Sequence, residues 1–335
     1  MKIFKRIMSL LLICCIPFGL LVSCKDEEPQ ENPLNGKKII FIGDSFIFYG
    51  QVVLEKSQSV LTQKARLNDY GYFYQLCKAM GAEVEVTNFT FGGHGLASFC
   101  GEACNTEKSC AGVNHFSYLE DRNYDYVIVS GERASSRTKE YLFENMDIII
   151  NMFRAVNPDV KFFYLVSSGA HNVSVAPSFP HEMLNALDEL EDTRGVTIVD
   201  WGEMVSDIID GKNTVPGATE TYNKNSFVVD WSEKDGYHPN QLAGYITAAM
   251  LYSAMTGQSA VGLPYSFWND TTLRKKGDKA VFFDSAAFIK KYYTHGATNY
   301  DKIFASEADM KGLQTLIDQY LAAKAYRNYN FAPLG

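Results

Sequence analysis

The sequence predicts a three-layer α/β/α domain built on a parallel five-stranded sheet. Short apolar runs rich in β-branched residues recur along the chain, and they alternate with longer segments whose apolar residues follow a helical period. Glycine or proline ends most of these segments. Strands that alternate with helices imply parallel pairing and right-handed crossovers, which place helices on both faces of one sheet.

Five apolar runs account for the predicted strands. The first is strongly apolar and β-branched, which is typical of a central strand buried on both faces. The predicted strands cover residues 38–42, 83–88, 126–130, 161–166 and 196–199.

The predicted helices follow these strands. Asn68 caps a helix over 70–80, a second covers 139–156, a third runs from Pro180 to Gly195, and a fourth covers 240–256. Two stretches lie outside the alternation. Residues 50–67 are interpreted as a lid or a wall of the cleft, and residues from 258 onward as a helical extension with helices around 285–293 and 307–323.

Two short motifs carry the chemistry. Gly43-Asp44-Ser45 follows the first strand, and Asp235-Gly236-Tyr237-His238-Pro239 precedes the last helix of the alternation. A serine hydroxyl attacks a carbonyl usefully only when an adjacent imidazole takes its proton. His238 is the candidate base, and Asp235, three residues earlier, is the candidate acid that orients it. Ser45 is then the nucleophile at the carboxyl end of the sheet, where α/β folds bind ligands.

These motifs resemble the blocks of the SGNH/GDSL hydrolase superfamily over roughly residues 38–257. The resemblance implies a flavodoxin-like fold, Ser45 as nucleophile, and Asp235 and His238 as the catalytic acid and base. The second block of the family is a glycine whose backbone N–H holds the oxyanion, and Phe91-Gly92-Gly93-His94-Gly95 lies at that place. The resemblance therefore implies an oxyanion hole formed by Ser45, Gly93 and Gly92.

The third block departs from the family pattern. The family carries Gly-x-Asn-Asp after the third strand, whereas this chain has Ser130-Gly131-Glu132-Arg133, with no asparagine. Ser130, Glu132 and Arg133 are the candidates to replace the amide, as other polar residues do in some SGNH-like families. A carboxylate cannot stabilise an oxyanion, whereas Arg133 or a backbone N–H can. Loss of one oxyanion donor costs about 10²–10³-fold in rate. Arg133, His94 and Glu132 are expected to contact the substrate.

The N-terminus predicts export and a lipid anchor. Basic residues precede an apolar stretch that ends in Leu21-Val22-Ser23-Cys24, the pattern of a lipoprotein signal. Residues 1–23 are the predicted signal peptide, Cys24 is the lipidated residue, and 24–36 form an acidic flexible tether. The predicted location is the outer membrane with exposure at the cell surface; a periplasm-facing position and a transmembrane anchor are the alternatives.

Composition limits the partners. The formal net charge is −8, and no basic run follows the signal, which argues against nucleic acid and against an anionic membrane surface. Contact with a membrane is expected through the lipid anchor only. The aromatic content of 13% suits either carbohydrate stacking or a large core.

Four cysteines follow Cys24, and three of them crowd the loop at 99–112. An exported protein favours disulfides, so a bridge is predicted within this loop, with Cys77 as a further partner. The alternative is a zinc site formed by Cys100, Cys104 and Cys110 with a histidine, although their spacing matches no short metal-ligand motif.

The sequence therefore predicts a surface-anchored serine esterase that removes acyl groups, including acetyl, from carbohydrates. The hydrolase-like domain is assigned to 37–257 and the extension to 258–335, and neither a cofactor nor a metal is expected. One alternative is a non-catalytic glycan-binding lipoprotein on a degenerate scaffold. Another is a lipase, a thioesterase or an acyl transfer enzyme.

Overall fold

A computed structural model gives the fold of the chain. The structure describes residues 31–48, 50, 52–53, 66–67, 71–91, 94–100, 115–130, 138–167, 181–227, 238–265 and 306–323. The predicted signal peptide, Cys24 and the acidic run after it lie outside this part of the chain.

Five parallel strands and one short antiparallel strand form the sheet, in the order β2-β3-β1-β4-β5-β6. The parallel five-stranded sheet confirms the predicted fold class. The strands are β1 (Lys38–Gly43), β2 (Arg66–Leu67), β3 (Glu85–Thr90), β4 (Tyr126–Val129), β5 (Lys161–Leu165) and β6 (Val196–Val199).

The antiparallel edge strand β2 was not predicted. It pairs Arg66 with Asn88 and Leu67 with Thr87 on β3, inside the stretch interpreted as a lid or cleft wall. Two residues are too short to show an alternating pattern, so the sequence gives no period by which to recognise them.

The central strand β1 is buried on both faces. Ile39 and Phe41 join one apolar cluster and Ile40 and Ile42 join the other, and all four side chains are 0% exposed. Side chains alternate across a strand, so consecutive residues of β1 serve opposite layers of the domain. This double burial explains why the whole run is apolar.

Helices cover both faces of the sheet, which confirms the predicted three-layer architecture. They are α1 (Ser45–Phe48), α2 (Tyr72–Ala79), α3 (Leu96–Cys100), α4 (Lys139–Arg154), α5 (His181–Arg194), α6 (Trp201–Ile209), α7 (Gln241–Thr256) and α8 (Glu307–Ala322), with 3₁₀ turns at His115–Tyr118 and Lys224–Ser226. Helices α2, α6, α7 and α8 contribute to the cluster on one face, and α3, α4 and α5 to the cluster on the other.

The start of α2 differs from the prediction. Asn68 is not its cap, because the helix begins at Tyr72 and its N-cap is Gly71, which makes no side-chain capping bond. The backbone N–H of Phe73 donates instead to the carbonyl oxygen of Val52 at 3.2 Å. A neighbouring segment thus satisfies a helix terminus that a side chain would otherwise cap.

Helix α8 belongs to the same core as the sheet. Met310, Leu313 and Ile317 are fully buried in the cluster that also contains α7, and the Gln314 amide donates to the Tyr245 hydroxyl at 2.7 Å. The extension helix predicted at 307–323 is confirmed in this position, whereas the one at 285–293 lies outside the described residues.

The first turn of α8 is held by a buried carboxylate. Asp309 accepts hydrogen bonds from the backbone N–H of Thr219 at 2.6 Å and from the Tyr222 hydroxyl at 3.0 Å. Burial raises the pKa of the Asp309 carboxyl, but these hydrogen bonds outweigh burial and hold the pKa below its usual value. Asp309 therefore ties α8 to the loop before the Lys224–Ser226 turn as an ionised acceptor.

The predicted pairing of Cys77 is wrong. Cys77 and Cys100 are both free thiols, and they pack into the apolar clusters on opposite faces of the sheet. Burial raises the pKa of the Cys77 thiol strongly and that of Cys100 to about 12, so neither is a reactive thiolate. Cys104 and Cys110 lie outside the described residues, and so does most of the loop predicted to contain a bridge.

Among the described helices, none is both long enough and apolar enough to cross a membrane.

Two glycines bring α7 against the segment that follows α1. A Cβ on Gly244 would lie 1.6 Å from the carbonyl oxygen of Gly50, and a Cβ on Gly50 would lie 2.7 Å from the Cα of Gly244. Side chains cannot occupy such spaces, so this backbone contact requires glycine on both sides.

Gly244→Ala should destabilise the protein although alanine is the better helix former. The helix propensity gain is about 1 kcal/mol, while the clash with Gly50 forces a backbone shift that costs about 1–3 kcal/mol or more. We expect a lower free energy of unfolding in urea. Ser253→Ala on the same helix is the control, because it removes a buried hydroxyl with no hydrogen-bond partner among the described residues. A Gly244→Ala protein as stable as the wild type would contradict the contact.

Candidate active site

Ser45 lies where the central strand ends. It is the first residue of α1, immediately after Gly43 and Asp44, and its side chain is buried. The Asp44 side chain accepts a hydrogen bond from the backbone N–H of Phe46 at 3.0 Å, and the Asp44 carbonyl accepts one from Ile47 at 3.2 Å. Asp44 thus holds the tight turn that presents Ser45 at the carboxyl end of the sheet.

His238 lies beside Ser45, although the two residues are far apart in the sequence. It lies two residues before Asn240, the N-cap of α7, and its ring is buried. The Nε2 atom of His238 lies 2.8 Å from the Oγ atom of Ser45, although the two residues are 193 positions apart. The fold therefore brings the predicted nucleophile and base into direct hydrogen-bond contact.

The surroundings of this pair are largely closed to solvent. Ser45 is 4% exposed and His238 is 6% exposed, and the ring of Phe46 lies 5.4 Å from the imidazole, centroid to centroid. With the serine hydroxyl donating to Nε2, the imidazole carries its proton on Nδ1. Such an imidazole needs an acceptor for the Nδ1 proton on the far side of the ring, which is the role predicted for Asp235.

The end of β4 lies against the turn formed by Gly43, Asp44 and Ser45, the predicted nucleophile turn. The backbone N–H of Ser130 donates to the Ile42 carbonyl at 2.9 Å, and a Cβ on Gly43 would lie 2.1 Å from the Ser130 carbonyl oxygen. Glycine at 43 thus permits a close approach of two strand ends. Ser130, one candidate for the missing amide, is buried at this junction.

The end of β3 lies on the other side of the same turn. The backbone N–H of Phe91 donates to the Gly43 carbonyl at 2.8 Å, so the residues after β3 leave the sheet beside those that carry Ser45. His94 is buried, and its ring lies 6.2 Å from that of Phe91. Contact of His94 with a substrate stays a prediction.

The other predicted site residues lie outside the described part of the chain. These are Asp235, Gly92, Gly93, Glu132 and Arg133. Each follows or precedes a described element that ends at the edge holding Ser45 or His238, and their roles stay predictions.

The sequence analysis missed Asn240. An asparagine before an apolar helix is a recognisable N-cap, and its side chain does accept a hydrogen bond from the Ala243 N–H at 3.1 Å. The same side chain also donates to the Ser226 carbonyl at 2.8 Å. No local pattern indicates this second bond, because Ser226 lies beyond the motif that contains His238.

A metal centre finds no support among the described residues, where no group of three or more His, Cys, Asp or Glu side chains is placed to hold an ion. Cys104 and Cys110, which the zinc alternative requires, are not among these residues.

No protein-family model matches the chain, and no curated protein does. Solved structures do match. A DUF4886 family protein from Bacteroides uniformis is 14% identical, with a TM-score of 0.48, over 86% of this chain and 95% of that chain. A catalytic mutant of an acetylxylan esterase from Geobacillus stearothermophilus is 14% identical, with a TM-score of 0.41, over 69% of this chain and 96% of that one.

A third match is a possible lipase from Chitinophaga pinensis, 13% identical with a TM-score of 0.41, over 65% of this chain and 97% of that chain. At TM-scores below 0.5, none of these likenesses bears on activity or substrate. The chain's own sheet decides the fold. Its five parallel strands lie in the order β3-β1-β4-β5-β6, which is 2-1-3-4-5 when they are numbered without β2, and helices cover both faces. This order is flavodoxin-like, as the resemblance implied.

Gly43→Ala should slow the reaction of Ser45 with a fluorophosphonate by about 100-fold, because displacing a reacting atom by about 1 Å costs that much. The added methyl group would push the nucleophile turn away from the Ser130 carbonyl. The measurement is the second-order rate of phosphonylation, followed by mass spectrometry at a temperature where the variant is folded.

Gly81→Ala is the control for this substitution. Gly81 has a positive φ of 78° and open space around its Cα, so alanine strains the backbone there without touching the site. We expect Gly81→Ala to lose stability and to keep the wild-type labelling rate. Equal rates for Gly43→Ala and wild type would show that the Gly43–Ser130 junction does not set the position of Ser45.

Proposed function

We propose that this chain is a serine esterase that hydrolyses acyl esters through Ser45 and His238. The observation that carries the proposal is the 2.8 Å contact between Ser45 Oγ and His238 Nε2 at the carboxyl end of the central strand. A structural serine has no need of a buried imidazole at this distance. A serine nucleophile requires one.

The first step is acylation. Ser45 Oγ attacks the ester carbonyl while its proton passes to His238 Nε2, which gives a tetrahedral intermediate and an imidazolium. Collapse of the intermediate breaks the ester C–O bond, and the imidazolium returns its proton to the leaving alcohol. An acyl-serine remains.

The second step regenerates the enzyme. Water donates a proton to His238 Nε2 as its oxygen attacks the acyl-serine carbonyl, and the proton then returns to Ser45 Oγ as the carboxylic acid leaves. No cofactor enters either step. The same imidazole thus serves as base and acid in turn.

Three further roles complete the mechanism. Asp235 accepts the Nδ1 proton of His238 and stabilises the imidazolium. The backbone N–H groups of Ser45 and Gly93, with Gly92 beside them, hold the oxyanion, and Arg133 replaces the amide of the family's third block. The position of β3 and β4 on either side of β1 supports this assignment, since both strands end beside the turn that carries Ser45.

The substrate class follows from where the protein is expected to act. The lipoprotein pattern ending at Cys24 supports a tethered enzyme at the cell surface, where polymeric glycans bearing acetyl groups are accessible substrates. We therefore propose short acyl esters on carbohydrates, acetyl above all, with His94 and Glu132 lining the cleft.

Ser45→Ala should abolish both labelling by a fluorophosphonate and release of acetate from acetylated polysaccharides. Removal of a nucleophile leaves at most the residual rate that binding and the oxyanion hole supply, about 10³-fold or more below the wild type. The measurement is acetate release across a panel of acetylated glycans, together with hydrolysis of p-nitrophenyl esters of increasing chain length.

The matched control is Ser253→Ala, which alters a buried serine in the last turns of α7, away from Ser45. It should keep wild-type labelling and turnover. If wild-type protein neither reacts with the probe nor hydrolyses any ester in the panel, the proposal fails and the alternative of a glycan-binding protein is favoured. A rate that rises with acyl length would replace the deacetylase assignment by a lipase.

Cys24→Ser should prevent lipidation and release the protein from the membrane fraction. Lipid modification requires the thiol of this one residue, and a hydroxyl does not substitute for it. The measurement is labelling by an alkyne fatty acid in cells, with membrane fractionation. Cys15→Ser, within the predicted signal peptide, is the control and should keep the label. Fatty acid on the Cys24→Ser protein would contradict the anchor.

A further inference from the structure

Besides the bond that its carbonyl accepts from the Gly244 N–H, three hydrogen bonds converge on Asn240. Its backbone N–H donates to the Phe227 carbonyl at 2.9 Å, its side-chain Nδ2 donates to the Ser226 carbonyl at 2.8 Å, and its Oδ1 accepts from the Ala243 N–H at 3.1 Å. One residue thus joins the start of α7 to the end of the Lys224–Ser226 turn.

These bonds link the described residues that precede and follow the segment 228–237. Phe227 is the last described residue before this segment and His238 is the first after it, and Asn240 holds the two ends together. The segment includes Asp235, the predicted acid. Asn240 therefore fixes the positions of the described residues on either side of Asp235, at Phe227 and at His238.

Phe227, to which Asn240 is bonded, is itself held by contacts with other parts of the fold. The ring of Phe227 stacks on that of Tyr222, with centroids 5.7 Å apart and planes inclined by 28°, and the Tyr222 hydroxyl donates to Asp309 on α8 at 3.0 Å. The residues that carry the Ser226 and Phe227 carbonyls are thus connected to α8 on one side and, through Asn240, to His238 on the other.

We propose that Asn240 is a positioning residue that sets His238 against Ser45 through its Nδ2 bond to Ser226. This inference rests on the proposed function. Capping α7 requires only the Oδ1 acceptor, which serine or aspartate supplies equally well. The Nδ2 donor is the additional feature of asparagine, and its partner lies in a different part of the chain.

Asn157 offers a matched control at the opposite end of the sheet. Its Nδ2 donates to the Tyr124 carbonyl at 2.8 Å and its Oδ1 accepts from the Asp159 N–H at 3.1 Å. Asn157 thus repeats the pattern of one distant carbonyl and one local N–H, and both asparagines are half-buried. It precedes β5, so it lies at the amino end of the strands, away from Ser45.

The experiment compares Asn240→Ser with Asn157→Ser in the full chain. Serine keeps an oxygen for the local N–H, adds no charge, and is too short to reach the distant carbonyl. Thermal unfolding, the fluorophosphonate labelling rate, and kcat and KM for p-nitrophenyl acetate are measured for each variant and the wild type.

We expect both variants to lose similar stability, while only Asn240→Ser loses reactivity. Its labelling rate and kcat should fall by about 10-fold or more, as for a misplaced catalytic group, with KM within about 2-fold of wild type because only the transition state is affected. Asn157→Ser should keep wild-type rates.

Equal rates for Asn240→Ser and Asn157→Ser would overturn the inference and leave Asn240 as a structural cap. If Asn240→Ser does not fold, Asn240→Asp takes its place, since it keeps the cap, lacks the donor, and carries the same expected and contrary outcomes. Absence of labelling in the wild type would instead overturn the proposed function.

Discussion

The approach of two backbones, at Gly50 and Gly244, is the constraint on which the site depends. Ser45 precedes Gly50 by one short helix, and His238 precedes Gly244 by the first turn of α7. The two glycines therefore lock together the segments that carry the hydroxyl and the imidazole. A side chain in that gap would force these two segments apart, and the 2.8 Å contact between residues 193 positions apart joins the same two segments.

The sheet supplies a second constraint of the same kind. The turn after β1 lies between the ends of β3 and β4, with the Gly43 carbonyl bonded to Phe91 on one side and the Cα of Gly43 against Ser130 on the other. Parallel strands that end at one level bring three chain segments to one edge. The turn that carries Ser45 is thus held by backbone contacts with both neighbouring strand ends.

Much of this architecture could be predicted because its cause is local. The predicted strand at 196–199 matches β6 in both bounds, and the other parallel strands agree within two residues, since burial on both faces makes the runs apolar. The pairing of Ser45 with His238 was also predicted, because the two short motifs resemble the first and last blocks of one hydrolase superfamily. The cap at Asn68, the edge strand β2 and the pairing of Cys77 were missed or wrong, because packing between distant segments decides them. The hydrogen bonds from Phe73 to Val52 and from Asn240 to Ser226 are likewise contacts that no local sequence period indicates.

Helix α8 carries a consequence for how the molecule comes to be folded. Its apolar residues complete the cluster that includes α7 and one face of the sheet, although it is the last described element of the chain. Synthesis proceeds from the N-terminus, so this half of the core stays open to water until α8 has been made. Formation of the native core therefore follows synthesis of all the other described elements, which is consistent with the export that the N-terminal pattern predicts.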